Sequence, residues 1–489
     1  MGQMAPWTRE TSERFDRERC RRPPVMAAQE VRATLHELVD KLDTSQLWSV
    51  TTAAFTEALG AGSAAQVTAY LDALISRTPF VEITERLAAA GSRQVLFIAR
   101  RPYFSIVREA LHLRERGWTC HLVYLEPHAQ GLEACIASAF AGSWRIQNSL
   151  LLLEALLRRV HTGVVHVQTW QFDYHTTVAV QRACTHVPVV AEFVDVASLI
   201  GDLELLALRF PIDDVKLDLA MEGEICREAD AVLTRFAPPA WRVLSESHGR
   251  LTRFMVFWPY PSPKFCCHEP QAYAPPTGRP VRAVYAGGVS GPPVPNVPVH
   301  AFGGQTLPEV FRCLLEQGIE VDVLHDPYRP LGVDTGLHTA YRDLLSAFPT
   351  FRMVDGAPPD LLPARIAGYD LGLMAFKVPP QGYWTRPELI QYGIGTKIFP
   401  YLEAGLPVLV TSEFEAASRL VQEHGLGLSI PSEELGSFAQ HLRPHAFLDW
   451  RTNVARYVEA HGMHREIVRL EALYDELLAT YSAACPSSD

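Results

Sequence analysis

Short, nearly continuous apolar runs recur along the chain, and segments with helical spacing separate them. The first two runs are RQVLFIA at 93–99 and WTCHLVYL at 118–125, with a predicted helix that ends at Gly117 between them. A strand that is apolar at almost every position is buried on both faces, which is typical of a parallel sheet covered by helices. The repeated pattern therefore predicts a doubly wound α/β domain.

A proline-rich segment divides this pattern into two halves. Residues 258–280 contain seven prolines, and the strand–helix alternation starts again at 281–288. Such a segment is typical of a crossing between domains. The predicted fold is α/β, with two doubly wound, Rossmann-like parallel-sheet domains. We predict a polar, disordered start at 1–25, a helical extension at 26–91, an N-terminal Rossmann-like domain at 92–262, a C-terminal Rossmann-like domain at 278–445 and C-terminal helices at 446–489.

The composition excludes several classes of function. Of the 489 residues 48% are apolar, and the net charge of −11 disfavours nucleic-acid binding, which depends on Lys and Arg. The nine cysteines are scattered without a CxxC pair, which predicts a reducing compartment. No apolar run is long enough to span a membrane, and the first residues lack a signal-peptide pattern. We therefore expect a cytoplasmic protein.

One predicted helix carries the features of an anion site. The helix at 396–405 follows Gly393 and Gly395, and it has Lys397 in its first turn. A helix N-terminus offers unpaired N–H groups and a positive dipole end, where a lysine is unfavourable unless an anion binds there too. The alternative is a surface lysine on an ordinary helix.

The segment around this helix resembles a known family. GTKIFPYLEAGLPVLVTSEFEAASRLVQEHGLGL at 395–428 is similar to the donor-binding core of GT-B glycosyltransferases of the bacterial family 4, or group 1, type. The resemblance implies a nucleotide-sugar site that includes Gly395 and Thr396, with Lys397 on the donor diphosphate and Glu403 on the ribose hydroxyls. It also implies that the C-terminal domain binds the donor and the N-terminal domain the acceptor.

The segment departs from the family pattern at one place. Many retaining members carry a second glutamate eight positions before the one that corresponds to Glu403, and Gly395 stands there in this chain. The sequence therefore leaves open whether a transfer would retain or invert the anomeric configuration.

Two further strand ends are donor-site candidates. Gly287 and Gly288 follow the first strand of the C-terminal domain, and glycine lets backbone N–H groups approach a diphosphate. His325 ends the next strand, near the place where the resemblance locates the nucleotide base. The alternatives are a tight turn at the two glycines and a loop role for the histidine.

The N-terminal domain contains a candidate anion-binding site and two candidate catalytic bases. Arg100, Arg101 and Tyr103 follow its first strand, and paired arginines suit a phosphate. Asp195 is the first candidate for a base that accepts the acceptor hydroxyl proton, and His175 is the second. The alternatives are a solvated arginine pair, a helix-capping aspartate and a histidine with a structural role.

Together these features predict an enzyme, a hexosyltransferase-like glycosyltransferase. It would move a sugar from a nucleotide-diphosphate donor, UDP among the candidates, to a hydroxyl of a polysaccharide, glycolipid or secondary metabolite. The alternatives are a nucleotide-sugar epimerase or phosphorylase of the same fold, and a degenerate scaffold module that binds a partner protein through 26–91. A leucine-rich helix at 150–159 is a candidate for peripheral membrane contact, with packing in the core as the alternative.

We predict neither a metal nor a cofactor other than the donor substrate. Cys266, Cys267 and His268 are adjacent potential ligands, but no second cluster at structural zinc spacing accompanies them.

Overall fold

The computed structural model describes residues 79–484 apart from short gaps. The predicted start at 1–25 and most of the extension at 26–91 therefore lie outside the described residues, as do Cys267 and His268. The gaps are at 92, 128–130, 147–149, 159, 161, 250, 252, 267–272, 291–304, 326–334 and 379–382.

The first domain is built on a seven-stranded sheet in which every neighbouring pair is parallel. The strand order is β3-β2-β1-β4-β5-β6-β7, so the chain reverses direction across the sheet between β1 and β4. The strands are β1 (Gln94–Ala99), β2 (Thr119–Tyr124), β3 (Gly142–Arg145), β4 (Val164–Thr169), β5 (Val189–Phe193), β6 (Ala231–Thr234) and β7 (Phe254–Val256).

The second domain repeats this plan with six parallel strands. Their order is β10-β9-β8-β11-β12-β13, with the corresponding reversal between β8 and β11. The predicted pair of doubly wound parallel sheets is confirmed. The strands are β8 (Arg282–Ala286), β9 (Glu320–His325), β10 (Phe351–Asp355), β11 (Leu371–Met374), β12 (Val408–Thr411) and β13 (Gly427–Ile430).

Helices cover both faces of each sheet. The first part of the chain contributes α1 (Phe80–Ala89), α2 (Phe104–Glu115), α3 (Glu133–Ala139), α4 (Leu150–Leu157), α5 (Tyr174–Ala183), α6 (Ala197–Ile200), α7 (Leu203–Ala207), α8 (Ile212–Glu228) and α9 (Ala240–His248). The second part contributes α10 (Leu307–Leu315), α11 (Thr335–Ala347), α12 (Leu362–Ile366), α13 (Pro387–Tyr392), α14 (Ile398–Glu403), α15 (Glu415–His424), a 3₁₀ segment (Ser432–His441), α16 (Ala446–His461) and α17 (Met463–Ala484).

The chain ends pack back onto the first domain. Helix α1 buries Phe80, Ile83 and Leu87 against the same face of the sheet as Leu96. Helix α17 packs on the opposite face, where Tyr474 lies in one core with the residues of β1 that face it. Because α17 follows the second domain in sequence, the C-terminal helices join the two domains covalently and by packing.

The leucine-rich helix α4 belongs to the core. Leu152, Leu153, Leu156 and Leu157 are all buried against the first sheet. This corrects the hypothesis of a membrane-docking helix, because these leucines present no exposed apolar face. In the described part of the chain, no helix combines the length and the apolar character needed to cross a bilayer.

A fully buried ion pair joins the two domains. Arg108 of α2 donates from Nη2 to Oε2 of Glu403 at the end of α14, at 2.6 Å, and neither side chain is accessible to solvent. The other carboxylate oxygen accepts the backbone N–H of Ser262, in the interdomain segment, at 2.7 Å. Burial raises the pKa of Glu403 to about 7, and the Arg108 charge opposes this shift.

Removing only one member of this pair should destabilise the protein. Arg108→Leu leaves a buried carboxylate without its counter-charge, and we expect a loss of about 3 kcal/mol in the free energy of unfolding. The double variant Arg108→Leu/Glu403→Leu should lose less, because no unpaired charge remains. Urea denaturation followed by circular dichroism measures both, with the exposed Arg242→Leu as control. A double variant that is less stable than Arg108→Leu would contradict this account.

Candidate functional site

The carboxyl ends of both parallel sheets face one cleft between the domains. Tyr103, which follows β1, donates its hydroxyl to Oγ1 of Thr396, just before α14, at 3.3 Å. Phe236, which follows β6, forms an antiparallel bridge with Gly393. In doubly wound sheets, ligands bind beyond these strand ends, near the point where the strand order reverses. The cleft is therefore where a ligand is expected.

Lys397 is an uncompensated cation in this cleft. It is half-buried before α14, and its ammonium lies 5.6 Å from the centre of the Tyr285 ring. Among the described residues no carboxylate pairs with it, and the nearby charge is that of Arg235. Burial, and then Arg235, lower the pKa of Lys397 to about 8. A cation in this position attracts an anionic ligand.

Gly287 makes room for this lysine. Its φ is +153°, and a Cβ there would lie 2.5 Å from Cε of Lys397. Its backbone N–H donates to the carbonyl oxygen of Leu324 at 3.0 Å and so extends the sheet hydrogen bonding. Because this N–H is already used in that hydrogen bond, it does not point to a phosphate as the sequence predicted. A Cβ on the neighbouring Gly288 would meet no atom within 4 Å.

Arg235 of the first domain lies near Lys397, and Asp195 pairs with this arginine. Arg235 directly follows β6, and its Nη2 lies 3.1 Å from Oδ1 of Asp195. Both side chains are partly exposed, at 25% and 31%. Asp195, predicted as a base, thus lies in the cleft and shares it with two cations. Sequence analysis missed Arg235, although its position at a strand end was a usable signal.

The second candidate base lies deeper. His175 is in the first turn of α5 and is 4% exposed. Its Nε2 lies 3.1 Å from Oδ1 of Asp173, and that aspartate is 3.6 Å from Nη1 of Arg100. Because His175 is buried and the side chain of Asp195 is 31% exposed, Asp195 is better placed than His175 to meet a ligand in the cleft.

The arginine pair after β1 is already compensated. Arg100 and Arg101 bind the two carboxylate oxygens of Glu126, at 2.6 Å and 2.9 Å. Because Glu126 neutralises both arginines, the pair should bind an anion more weakly than the sequence predicted, although Arg101 is 65% exposed. The two arginines line a pocket of about 520 Å³ together with aromatic and polar residues. The other lining residues are Pro102, Tyr103, Phe104, Glu126, Leu132, Trp170, Gln171, Asp173 and Pro359.

Tyr103 lines this pocket and contacts residues of both domains. Its ring packs edge-on against Trp170 at 5.3 Å, and its backbone N–H donates to Oε1 of Gln168 at 3.0 Å. Burial raises the pKa of its hydroxyl, so the group stays protonated and can donate to Thr396.

Glu403 does not have the contacts that ribose binding requires. Both of its carboxylate oxygens are occupied by Arg108 and Ser262, and the side chain is buried. Glu403 follows Lys397 by six residues, which places the two about 120° apart around a helix. The lysine therefore faces the cleft, while the glutamate faces the interface with α2. This corrects the role that the family resemblance implied.

The other donor-site candidates have structural contacts. Gly395 has a φ of +69°, and a Cβ there would lie 2.1 Å from Cε of Met374, so close packing requires this glycine. His325 ends β9 as predicted and is 3% exposed. Cys266, a potential metal ligand by its residue type, donates its thiol to the carbonyl oxygen of Ser262.

Known structures share this architecture. A glycosyltransferase from Rickettsia africae has 11% sequence identity and a TM-score of 0.50, over 81% of this chain and 100% of its own. The fold is that of GT-B glycosyltransferases. An O-GlcNAc transferase mutant from Thermobaculum terrenum has 14% identity and a TM-score of 0.48, over 93% of this chain and 79% of its own. No protein-family model matches the chain, and no curated protein does.

Alanine variants of Gly287 and Gly288 test whether Lys397 occupies the space beside Gly287. Gly287→Ala should lower the unfolding temperature by several degrees, because the new Cβ meets Lys397 and the positive φ disfavours alanine, at a cost of about 1–3 kcal/mol. Gly288→Ala should change it little, because its Cβ enters open space. Thermal unfolding of the two variants checks this difference. Equal losses would show that the lysine does not occupy the space over Gly287.

Proposed function

We propose that the protein is a glycosyltransferase that moves a sugar from a nucleotide-diphosphate donor to an acceptor hydroxyl. The observation that supports this most is Lys397, a half-buried cation without a carboxylate partner among the described residues, at the strand ends of a GT-B fold. Such a site suits a group that carries negative charge close to the reacting bond.

Lys397 and Arg235 would bind the donor diphosphate from opposite sides. During transfer the bond between the sugar carbon C1 and the diphosphate oxygen breaks, and negative charge grows on the leaving group. Two cations fixed beside that group stabilise the charge as it develops. Because one cation comes from each domain, the donor would also draw the two sides of the cleft together.

Asp195 would then serve as the base. Arg235 pairs with Asp195 at 3.1 Å. A diphosphate competes for the same guanidinium and thereby releases the carboxylate. Asp195 can then accept the proton of the acceptor hydroxyl while the acceptor oxygen forms its bond to C1. The pocket of about 520 Å³ beside Tyr103 and Trp170 is the proposed acceptor site.

A donor-binding module without transferase activity is the second candidate. The observation that favours it is Glu403, which is buried against Arg108 and therefore absent from the donor ribose. Such a module would bind a nucleoside diphosphate but would not release sugar from the matching nucleotide sugar. A donor-hydrolysis assay separates the two candidates.

Nucleoside diphosphates should raise the unfolding temperature, and Lys397 should be needed for this effect. We expect one of UDP, GDP, ADP and TDP to shift the transition by several degrees at saturation, and the corresponding monophosphate to shift it less. Lys397→Met should abolish the difference between diphosphate and monophosphate, because it removes the uncompensated charge and keeps most of the side-chain volume.

Lys216→Met is the matched control for this experiment. Lys216 is exposed on α8 and pairs with the exposed Asp213. Its removal should leave the shift unchanged. A wild-type protein that responds to none of these nucleotides would refute the proposed donor.

Diphosphate affinity should depend on pH above the pKa of Lys397. The ammonium, with a pKa of about 8, is charged below that value and neutral above it. Affinity should therefore be nearly constant below about pH 7 and fall by up to about tenfold per pH unit above pH 8. Calorimetric titration across this range measures the dependence. Lys397→Arg should bind without it, since arginine stays protonated; a profile shared by both proteins would assign the titration to another group.

A further inference from the structure

A buried polar cluster lies inside the first domain, between the sheet and α2. Glu109 of α2, His166 of β4 and Glu192 of β5 are 1%, 0% and 8% exposed. One side-chain oxygen or nitrogen from each lies within 4.8 Å of the others. All three side chains come from regular elements that the sheet and its covering helix hold in place.

His166 and Glu192 each have one side-chain atom in a hydrogen bond and one atom that has no hydrogen-bond partner in the described part of the chain. His166 uses Nδ1 to bond the hydroxyl of Tyr474 at 2.5 Å, and Glu192 uses Oε1 to accept from Ser105 at 3.2 Å. Among the described residues, Nε2 of His166 and Oε2 of Glu192 make no hydrogen bond, although they lie 3.6 Å apart. In the same described part of the chain, Oε2 of Glu109 makes no hydrogen bond either, and it lies 3.8 Å from Nδ1 of His166, the nitrogen that bonds Tyr474.

This pattern is unusual, because buried polar atoms are nearly always hydrogen-bonded. Here three side chains on three separate elements carry such atoms, and one potential ligand atom of each lies within 4.8 Å of the others. Two carboxylates at that point also repel each other, and in the interior their charge requires a positive partner. A proton or a metal ion can supply that charge.

We propose that Glu109, His166 and Glu192 bind a divalent transition-metal ion inside the first domain. Two ligands about 2.1 Å from a tetrahedral ion lie about 3.4 Å from each other, close to the observed separation of Nε2 and Oε2. An imidazole ligand favours Zn²⁺, Mn²⁺ or Fe²⁺ over Mg²⁺ and Ca²⁺, which prefer oxygen ligands alone.

The contacts of Tyr474 and Ser105 match the surroundings of known metal sites. A metal-binding histidine usually bonds a protein group through its other nitrogen, which fixes the ring, and metal-binding carboxylates are hydrogen-bonded in turn. His166 and Glu192 both have such a partner. The ion would join α2 to β4 and β5, and through Tyr474 it would hold α17. Its role is therefore structural and independent of the proposed transfer.

The competing state is a proton shared within the cluster. Burial, and then the charge of Glu192, raise the pKa of Glu109 well above its usual range, so a metal-free cluster retains a proton. The two states make opposite predictions for Glu109→Gln. Glutamine resembles a protonated glutamate and should be tolerated where a proton is shared, but it removes a charged ligand from a metal.

The full-length protein, purified without chelators, tests the proposal by elemental analysis. We expect about one equivalent of zinc, manganese or iron per chain. Treatment with a strong chelator should lower the unfolding temperature, and Zn²⁺ or Mn²⁺ should restore it. Less than about one fifth of an equivalent in the purified protein, together with no thermal response to either ion, would overturn the proposal.

Variants locate the ion. Glu109→Gln should lose most of the metal and the chelator response while retaining the wild-type circular dichroism spectrum. His166→Gln should behave in the same way, and Glu85→Gln, on the exposed side of α1, should behave as wild type. A Glu109→Gln protein that keeps its metal places the ion elsewhere. A metal-free wild type with an equally stable Glu109→Gln variant establishes the shared proton instead.

Discussion

The buried pair between Arg108 and Glu403 sets the relation between the two domains. It lies where α2 meets α14, and Ser262 of the interdomain segment donates to the same carboxylate. A charge-assisted bond without solvent fixes direction as well as distance, because the guanidinium and the carboxylate have planar donor and acceptor geometry. The position of Lys397 follows from it, since α14 presents Glu403 to α2 and Lys397 to the cleft.

The charges of the cleft divide into compensated and uncompensated groups. Glu126 neutralises the arginines after β1, and Asp195 partly neutralises Arg235. Lys397 has no such counter-charge among the described residues, and burial, followed by the charge of Arg235, lowers its pKa. An anion gains most where the protein has left a cation unpaired, so the ligand preference of the cleft depends on this lysine more than on the number of basic residues.

Sequence patterns predicted the architecture well because burial on both faces of a parallel sheet leaves a continuous apolar signature. The apolar runs at 93–99 and 118–125 are β1 and β2, and the restart at 281–288 contains β8. The partners of charged residues were not predictable in this way. Glu403 is bound to a residue 295 positions earlier, and the pairing of Arg235 with Asp195 depends on two loops whose approach only the folded sheet determines.

The buried face of helix α2 carries polar residues, and sequence analysis did not predict their burial. Ser105, Arg108, Glu109 and His112 recur at helical spacing and occupy the buried face, where apolar residues are the rule. Burying such groups is unfavourable unless they find partners. Ser105 bonds Glu192 in the sheet, Arg108 bonds Glu403 of α14, and His112 bonds Ser262 in the interdomain segment. A misplaced domain would leave several of these groups unpaired at once. The polar face of α2 therefore specifies the arrangement of the cleft, and apolar packing alone would not.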